Sequence, residues 1–493
     1  MSETKSKFVA FDFGAASGRA ILGLISRDKL ELEEIHRFPN QPVTIFGHIY
    51  WNILTLFDAL KKGLALVAQR GHRDLAGIGV DTWGVDFGLV GKDGMLLGNP
   101  VAYRDSRTDG MMEKAFEKID RREIYALTGI QFLKLNTLYQ LFSMVQSDSP
   151  LLGITQNLLF MPDLFNYLMT GEKCSEYTIA STSQLLNVST KKWEQHLFSK
   201  LNLPYAIMAP IVDPGTVLGL LSKDLSDETG LSRADVIAPA CHDTASAVAA
   251  VPAQSDDWAY LSSGTWSLIG IEVEEPVINE ESLKNNFTNE GGADHKIRFL
   301  RNTMGLWLLQ QVRKTWEQQG ASFGYEDLVH IAGEAQPFKS IVDPDDTSFL
   351  NPPDMPAAIV EYCKKNQQPI PESKGEVVRC ILESLALKYR FIIEKINAMR
   401  NRPVETLHIV GGGSQNEMLN QFSADATGLP VIAGPAEATA TGNILVQAMA
   451  KGELDSLQQG RELVARSFPM KHFEPENQER WNEVYEKVKG MFS

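Results

Sequence analysis

The sequence predicts an α/β protein, and two observations carry that reading. Short apolar runs of strand type alternate with segments of helical periodicity. A strand, a small polar turn and a returning strand also occur twice, as FVAFDFGAASGRAILGLI near the start and DWAYLSSGTWSLIGIEV in the second half. Each half goes on to a helix, a further strand and a glycine-bearing loop. The chain therefore reads as two copies of one domain plan with different insertions, too dissimilar in residues to be called a repeat.

In order, Phe8 to Phe13 is an apolar run broken only by Asp12, followed by a Gly/Ala-rich turn and by strands Arg19 to Ile25 and Leu30 to Phe38. A hairpin at Arg27-Asp28 joins the last two. Trp51 to Arg70 has apolar residues at helical spacing and stops before Gly71. Ala76 to Val80 is a short buried strand opening onto DTWGVDFG, and Val236 to Ala240 is another, leading into a helical stretch from Thr244 to Val251. In the second half, strand Trp258 to Leu261 meets the turn SSGT and returns as Trp266 to Val273. A long helix from Glu376 to Arg400 precedes strand Thr406 to Val410 and the loop GGGSQN. The proline-rich stretches Pro204–Pro214 and Asn351–Pro371 read as ordered connections.

Composition narrows the function classes. The chain has 493 residues, 43% hydrophobic and 22% charged, enough for about two to four domains with sizeable cores. Lys and Arg total 47 against 62 Asp and Glu, a formal charge of −15 that repels nucleic-acid phosphates. An anionic small molecule would need a locally prepared site. Cys174, Cys241, Cys363 and Cys380 form no C-x-x-C and no disulfide framework. The start MSETKSKFVAFDFG lacks a signal-peptide pattern, and no run of about 18 apolar residues suggests a membrane span. These features predict a cytoplasmic enzyme acting on a small molecule, with neither nucleic acid nor membrane as partner.

P-loop, G-x-G-x-x-G, H-E-x-x-H and G-x-S-x-G motifs are absent. What remains are strand–turn junctions rich in small residues. In Asp12-Phe13-Gly14-Ala15-Ala16-Ser17-Gly18-Arg19, backbone N–H groups can form a nest for an anion, and Asp12 can hold a hydrated Mg²⁺; taken alone, such a segment is more often a plain hairpin turn with Asp12 exposed. Ser262-Ser263-Gly264-Thr265 occupies the matching place in the second half. Gly411-Gly412-Gly413 lets a flat ligand lie on backbone, or simply makes a tight turn. In Cys241-His242-Asp243-Thr244, Asp243 sits where a helix N-cap belongs and can also accept a proton from a hydroxyl, with His242 orienting the substrate. Asp81-Thr82-Trp83-Gly84-Val85-Asp86 and YRDSR suit a polyol or a surface charge network, with Trp83 free to be core. Asn302 reads as the cap of a helix bearing Gln310.

Taken together, DTWGVDF, YRDSRT, GIQFLKLNTLYQL, HDTASAV, YLSSGTWSL, NEGGA, NTMGLWLLQ, PIPES, HIVGGGSQN and VIAGP resemble the FGGY carbohydrate kinases, in that family's order from Phe8 to about Leu445. The resemblance implies two ribonuclease-H-like, actin-like ATPase domains flanking a catalytic cleft: residues 1–250 binding sugar and 251–493 binding nucleotide. It implies transfer of the ATP γ-phosphoryl to a ketose with Mg²⁺, the 1-hydroxyl of L-rhamnulose being the acceptor its motifs point to. Fuculose, xylulose and ribulose are the alternatives within the family, and an actin-like ATPase without sugar transfer is the remote one. It implies that Ala15, Ala16, Ser17, Gly18, Arg19, Thr265, Gln310 and Gly412 bind ATP. Gly84, His242, Asp243, Thr244 and Asn302 then bind the sugar, Asp243 is the general base, and Asp12 holds the metal through water. Two positions depart from the family pattern: Ala16 stands where a serine is usual, and Ser414 where a cysteine is often found. Cys363 and Cys380 match cysteines that can pair in relatives, a bridge a reducing cytoplasm disfavours.

Overall fold

A computed structural model describes residues 5–492. The chain packs into two compact units. The first runs to Pro252 and adds Glu272–Phe299 and Ala438–Phe468; the second comprises Ala253–Ile271, Leu300–Glu437 and the segment from Pro469. The chain passes between units within strands Trp266–Val273 and Ile297–Met304, so the two compact units interleave in sequence.

Strands β1 (Ser6–Phe13), β2 (Ser17–Ile25), β3 (Leu30–Pro39), β4 (Gly77–Thr82), β5 (Thr216–Leu220) and β6 (Asp235–Ala238) form the first unit's sheet in the order β5-β6-β4-β1-β2-β3. β1 is antiparallel to β2 and parallel to β4, which runs parallel to β6. Alternation decides what each face carries. Val9, Phe11 and Phe13 join Ile78 and Val80 in a core with Leu56, Leu60 and Leu64 of the helix Ile53–Gln69. The side chains between them, including Asp12 and Asp81, go to the opposite face. There the helix Ala438–Ala450 lies close on the sheet: a Cβ on Gly79 would stand 2.5 Å from Asn443 Oδ1.

The second sheet is built from β7 (Trp258–Ser263), β8 (Trp266–Val273), β9 (Thr288–Gly291), β10 (Ile297–Met304), β11 (Thr406–Val410), β12 (Val431–Ala433) and β13 (Lys471–Phe473), in the order β9-β10-β8-β7-β11-β12-β13. β7 is antiparallel to β8 and parallel to β11, and β11 to β12. The hairpin followed by parallel strands of the first sheet thus recurs, as the paired sequence grammar predicts.

Several local expectations shift. Ser262 and Ser263 continue β7, leaving Gly264 and Thr265 as the turn. Asn302 lies within β10; the helix beyond it begins at Trp307, with Leu306 at its N-cap position. His242, not Asp243, is the N-cap of the helix Asp243–Ala249. The long helix starts at Lys374 because Ser373 and Glu376 form a capping box, so Glu376 is its reciprocal cap partner. The stretch Asn351–Pro371 is mostly a helix, Met355–Lys365. GGGSQN becomes a 3₁₀ turn, Gly412–Gln415, and Asn416 caps the next helix. All four cysteines are buried free thiols, Cys363 and Cys380 side by side.

Candidate active site

In the first unit the strand ends gather carboxylates. Register pairs Asp12 with Arg19 on β2 and with Asp81 on β4, and Arg19 Nη2 donates to Asp12 Oδ2 at 2.5 Å. Thr82 N donates to Cys241 O at 2.9 Å, which brings the start of the helix Asp243–Ala249 to the same sheet end. Asp81 is fully buried; Asn443 Nδ2 donates to its Oδ2 at 2.6 Å, and its Oδ1 has no partner. Burial, then the Asp12 charge, pushes the Asp81 carboxyl well above the ordinary range. The Asp243 carboxyl is also raised, chiefly because surrounding groups strip it of water, although its side chain keeps 30% exposure. A partly reachable carboxyl with raised basicity can take a proton from a bound hydroxyl.

Asp243 and His242 are held from several sides. Glu176 Oε2 accepts from Cys241 N at 3.2 Å, and Thr178 Oγ1 accepts from His242 N at 3.1 Å. Glu176 is buried, and burial pushes its carboxyl up to about 7. Gly84 lies against Thr182, whose Oγ1 accepts from Val85 N at 3.1 Å. Val85 itself is left-handed at φ 66°, a strained state for a β-branched residue, of the kind that clusters at functional turns. Asp86 explains why the neighbouring motifs travel together: it accepts from Trp51 Nε1 (2.6 Å), Trp83 Nε1 (3.0 Å), Tyr103 N (3.1 Å) and Gln140 Nε2 (2.9 Å). The loop after β1 is closed by Gly14 N to Ser17 O at 2.9 Å and braced by Asn40, whose Nδ2 donates to Gly14 O.

The second unit makes its own constellation. Gly264 N donates to Trp266 O at 2.9 Å, closing a hairpin turn like that at Gly14. Trp307 N and Leu306 N donate to Thr265 O and Gly264 O, which seats a helix start on the turn. Thr265 Oγ1 then reaches Gln310 Oε1 at 3.3 Å. Gly411 and Gly413 pack on Ser263, while a Cβ on Gly412 would meet nothing within 4 Å, so that residue presents open backbone. Thr265, Gln310 and Gly412 therefore share one end of the second sheet. Asn302 lies on β10, next to Thr303, which donates to Asp345 Oδ1 at 2.7 Å.

Models of the FGGY carbohydrate kinases match both halves, the N-terminal domain over residues 8–250 and the C-terminal domain over 259–451. The chain belongs to the FGGY family of carbohydrate kinases. It is a phosphotransferase with an alcohol group as acceptor, built on the family's two-domain fold of actin-like ATPase type. It is 48% identical over 481 residues to a rhamnulokinase of Bacteroides thetaiotaomicron, covering 98% of each chain. With a rhamnulokinase of Bacillus subtilis identity is 40%, covering 96% of each. Among solved structures, a ligand-bound xylulose kinase of Lactobacillus acidophilus superposes with a TM-score of 0.82 at 16% identity, covering 99% of this chain and 97% of that one. Glycerol kinase of Plasmodium falciparum with ADP gives 0.76 at 15%, again covering 99% and 97%. At such identities these two establish the fold alone.

Sequence reasoning gave no role to Glu176, Thr178, Asn40, Asn443, Arg298 or Glu290 in this FGGY kinase. All but Glu290, which lies eight residues from Arg298, are far along the chain from the residue they support, and each is an ordinary polar residue in its local context. One signal was legible: Arg298 in IRFLRN is an arginine inside a strand pattern, which needs a buried partner. For a metal, no group of three or more His, Cys, Asp or Glu side chains among the described residues is arranged to hold one. Arg19 Nη2 donates to Asp12 Oδ2, and burial followed by the Asp12 charge raises the pKa of the neighbouring Asp81. This donor set fits a hydrated Mg²⁺ held through water by Asp12, since Mg²⁺ keeps several waters and takes one or two carboxylates.

Proposed function

We propose that this chain transfers the γ-phosphoryl group of ATP to the 1-hydroxyl of L-rhamnulose, giving L-rhamnulose 1-phosphate and ADP in L-rhamnose breakdown. The observation that carries the substrate is the 40–48% identity to rhamnulokinases over at least 96% of this chain. In this reading Gly84, His242, Thr244 and, from the second unit, Asn302 bind the ketose, and Asp243 takes the hydroxyl proton as the oxygen–phosphorus bond forms. Asp243 is a weak base, but in a loose transition state the proton leaves late, so position matters more than basicity. Ala15, Ala16, Ser17, Gly18 and Arg19 bind phosphate in the first unit; Thr265, Gln310 and Gly412 bind ATP in the second. Asp12 holds Mg²⁺ through water, and the metal, when bound, neutralises phosphate charge. No helix among the described residues is long and apolar enough to cross a membrane. The negative charge and the four free thiols support a cytoplasmic enzyme with no nucleic-acid partner. ADP release measured with and without L-rhamnulose, beside fuculose, xylulose and ribulose, tests this. Faster turnover on another ketose would overturn the assigned substrate, and ADP release indifferent to every ketose would overturn the sugar kinase.

A further inference from the structure

Behind His242 lies a buried ion pair with no assigned role. Arg298 on β10 has a wholly buried side chain. Its Nε donates to Gly291 O at 2.9 Å, and its Nη2 faces Glu290 Oε2 at 3.1 Å and His242 Nδ1 at 3.0 Å. All of these residues belong to the first unit. A guanidinium has only donors, so the proton between Nη2 and Nδ1 is the arginine's, and Nδ1 presents its lone pair. The two hydrogens of Nη2 are then both committed, one to Glu290 and one to His242. A neutral imidazole carries its remaining proton on Nε2, and Nε2 stands 3.4 Å from Asp243 Oδ1. Glu290 lies 3.4 Å from Nδ1, farther than the arginine nitrogen, and serves to hold the guanidinium in place.

The consequence falls on Asp243. Thr244 N reaches its Oδ1 at 2.5 Å, Thr244 Oγ1 at 3.1 Å, and His242 Nε2 approaches the same oxygen. Among the described residues, both hydrogen bonds that this carboxylate accepts go to Oδ1, and the imidazole Nε2 lies nearest the same oxygen. We infer that Arg298, held by Glu290, is a positioning residue that fixes His242 as the Nε2–H tautomer, so that Oδ1 is occupied and Oδ2 is the oxygen that receives the substrate proton. This rests on Asp243 being the base of the proposed reaction. In the step itself the substrate oxygen bonds to the γ-phosphorus as the bond to the ADP oxygen breaks, and the hydroxyl proton passes to Oδ2.

The tautomer can be read without turnover. ¹⁵N-histidine labelling of the full chain, with the His242 signals identified by their loss in His242→Gln, reports which ring nitrogen carries hydrogen. The Nε2–H form is expected in the parent protein, and an Nδ1–H form would overturn the inference whether or not any variant folds. In Arg298→Met the preference should vanish, and kcat should fall about 10–100-fold with the KM for ATP unchanged, short of the loss from removing the base. Arg298→Lys, which keeps a donor towards Nδ1, should recover part of both signals. A folded Arg298→Met protein with parental tautomer and parental kcat would overturn the positioning role. If L-rhamnulose proves a poor acceptor while the Nε2–H form is seen, the substrate assignment fails and the tautomer assignment stands.

Discussion

Gly442→Ala is the substitution whose consequences can be worked furthest. The helix Ala438–Ala450 crosses the helix Asp243–Ala249 at this glycine. A Cβ built there would stand 2.6 Å from the carbonyl carbon of Ser246 and closer still to its oxygen. A Cβ contact under 3.0 Å forces something to shift, and the oxygen is the nearer atom, so one backbone must move by more than about 1 Å. Neither neighbour is a flexible side-chain end, so the strain cannot be absorbed locally. Overpacking of this kind costs about 1–3 kcal/mol, expected here near the upper end, and lowers Tm by several degrees. The displacement lands on the active site by either route. Ser246 is one turn from Asp243, and Asn443, beside the substitution, is the donor to buried Asp81. A shift approaching 1 Å in a catalytic carboxylate costs on the order of 10²-fold in kcat. The KM for ATP should change less than kcat, because Thr265, Gln310 and Gly412, three of the residues proposed to bind ATP, lie in the second unit, and only the proposed phosphate loop Ala15–Arg19 lies in the first. Thermal melts and steady-state kinetics on purified protein test this, with Gly153→Ala as control, since a Cβ there meets nothing within 4 Å. A folded Gly442→Ala protein with parental Tm and kcat would refute the claim that this contact sets the position of Asp243.

Three further outcomes follow from the geometry. Asp243→Asn should fold, bind both substrates and lose about 10²–10⁴ in turnover; full activity in a folded variant would remove it as the base. Gly264→Val places its Cβ 3.8 Å from its nearest neighbour, Trp266 O, so the fold should accept it. The KM for ATP should nonetheless rise sharply with ketose binding intact, and calorimetry showing the reverse would exchange the roles of the two units. Glu176 makes a prediction about pH. Its folded pKa of about 7 exceeds the unfolded value of 4.5, so the folded protein holds the proton more tightly. Its contribution to stability is therefore fully present below pH 4.5 and is lost as pH rises through about 7. Glu176→Gln should accordingly gain about 3 kcal/mol relative to the parent between those limits. Denaturant melts at both ends that show a constant difference would mean that Glu176 is not buried as described.

The parts of the site that were legible in the sequence are those made by the backbone. A strand that ends in Asp12 or Ser263 and turns through small residues announces its turn locally, because turn chemistry depends on neighbours along the chain. Boundaries slipped where a local signal had two meanings. Asn302 before Thr-Met-Gly looks like a cap, yet strand pairing in β10 claims it. Asp243 looks like a cap, yet it is already helical and the extended residue before it, His242, is the cap, so the helix begins one residue earlier than a cap at Asp243 would require. The supporting side chains were illegible for a different reason. Glu176 serves Cys241, Asn443 serves Asp81 and Arg298 serves His242, over separations that no periodicity encodes.

Small residues show how the two kinds of information combine. ASA after Asp243 and ATATG before Asn443 read, one at a time, as unremarkable helix composition. In the fold they are two faces of one crossing, where Gly442 lets Ser246 approach to backbone distance. That approach brings the helix carrying Asp243 and the residue that binds Asp81 to the end of β1, where Asp12 stands. A larger residue in either segment would leave both helices intact and every catalytic residue present. It would still open the buried surroundings that, with the Asp12 charge, raise Asp81. The spacing of the proposed catalytic cluster is thus set as much by what is missing from these two helices as by the acids themselves.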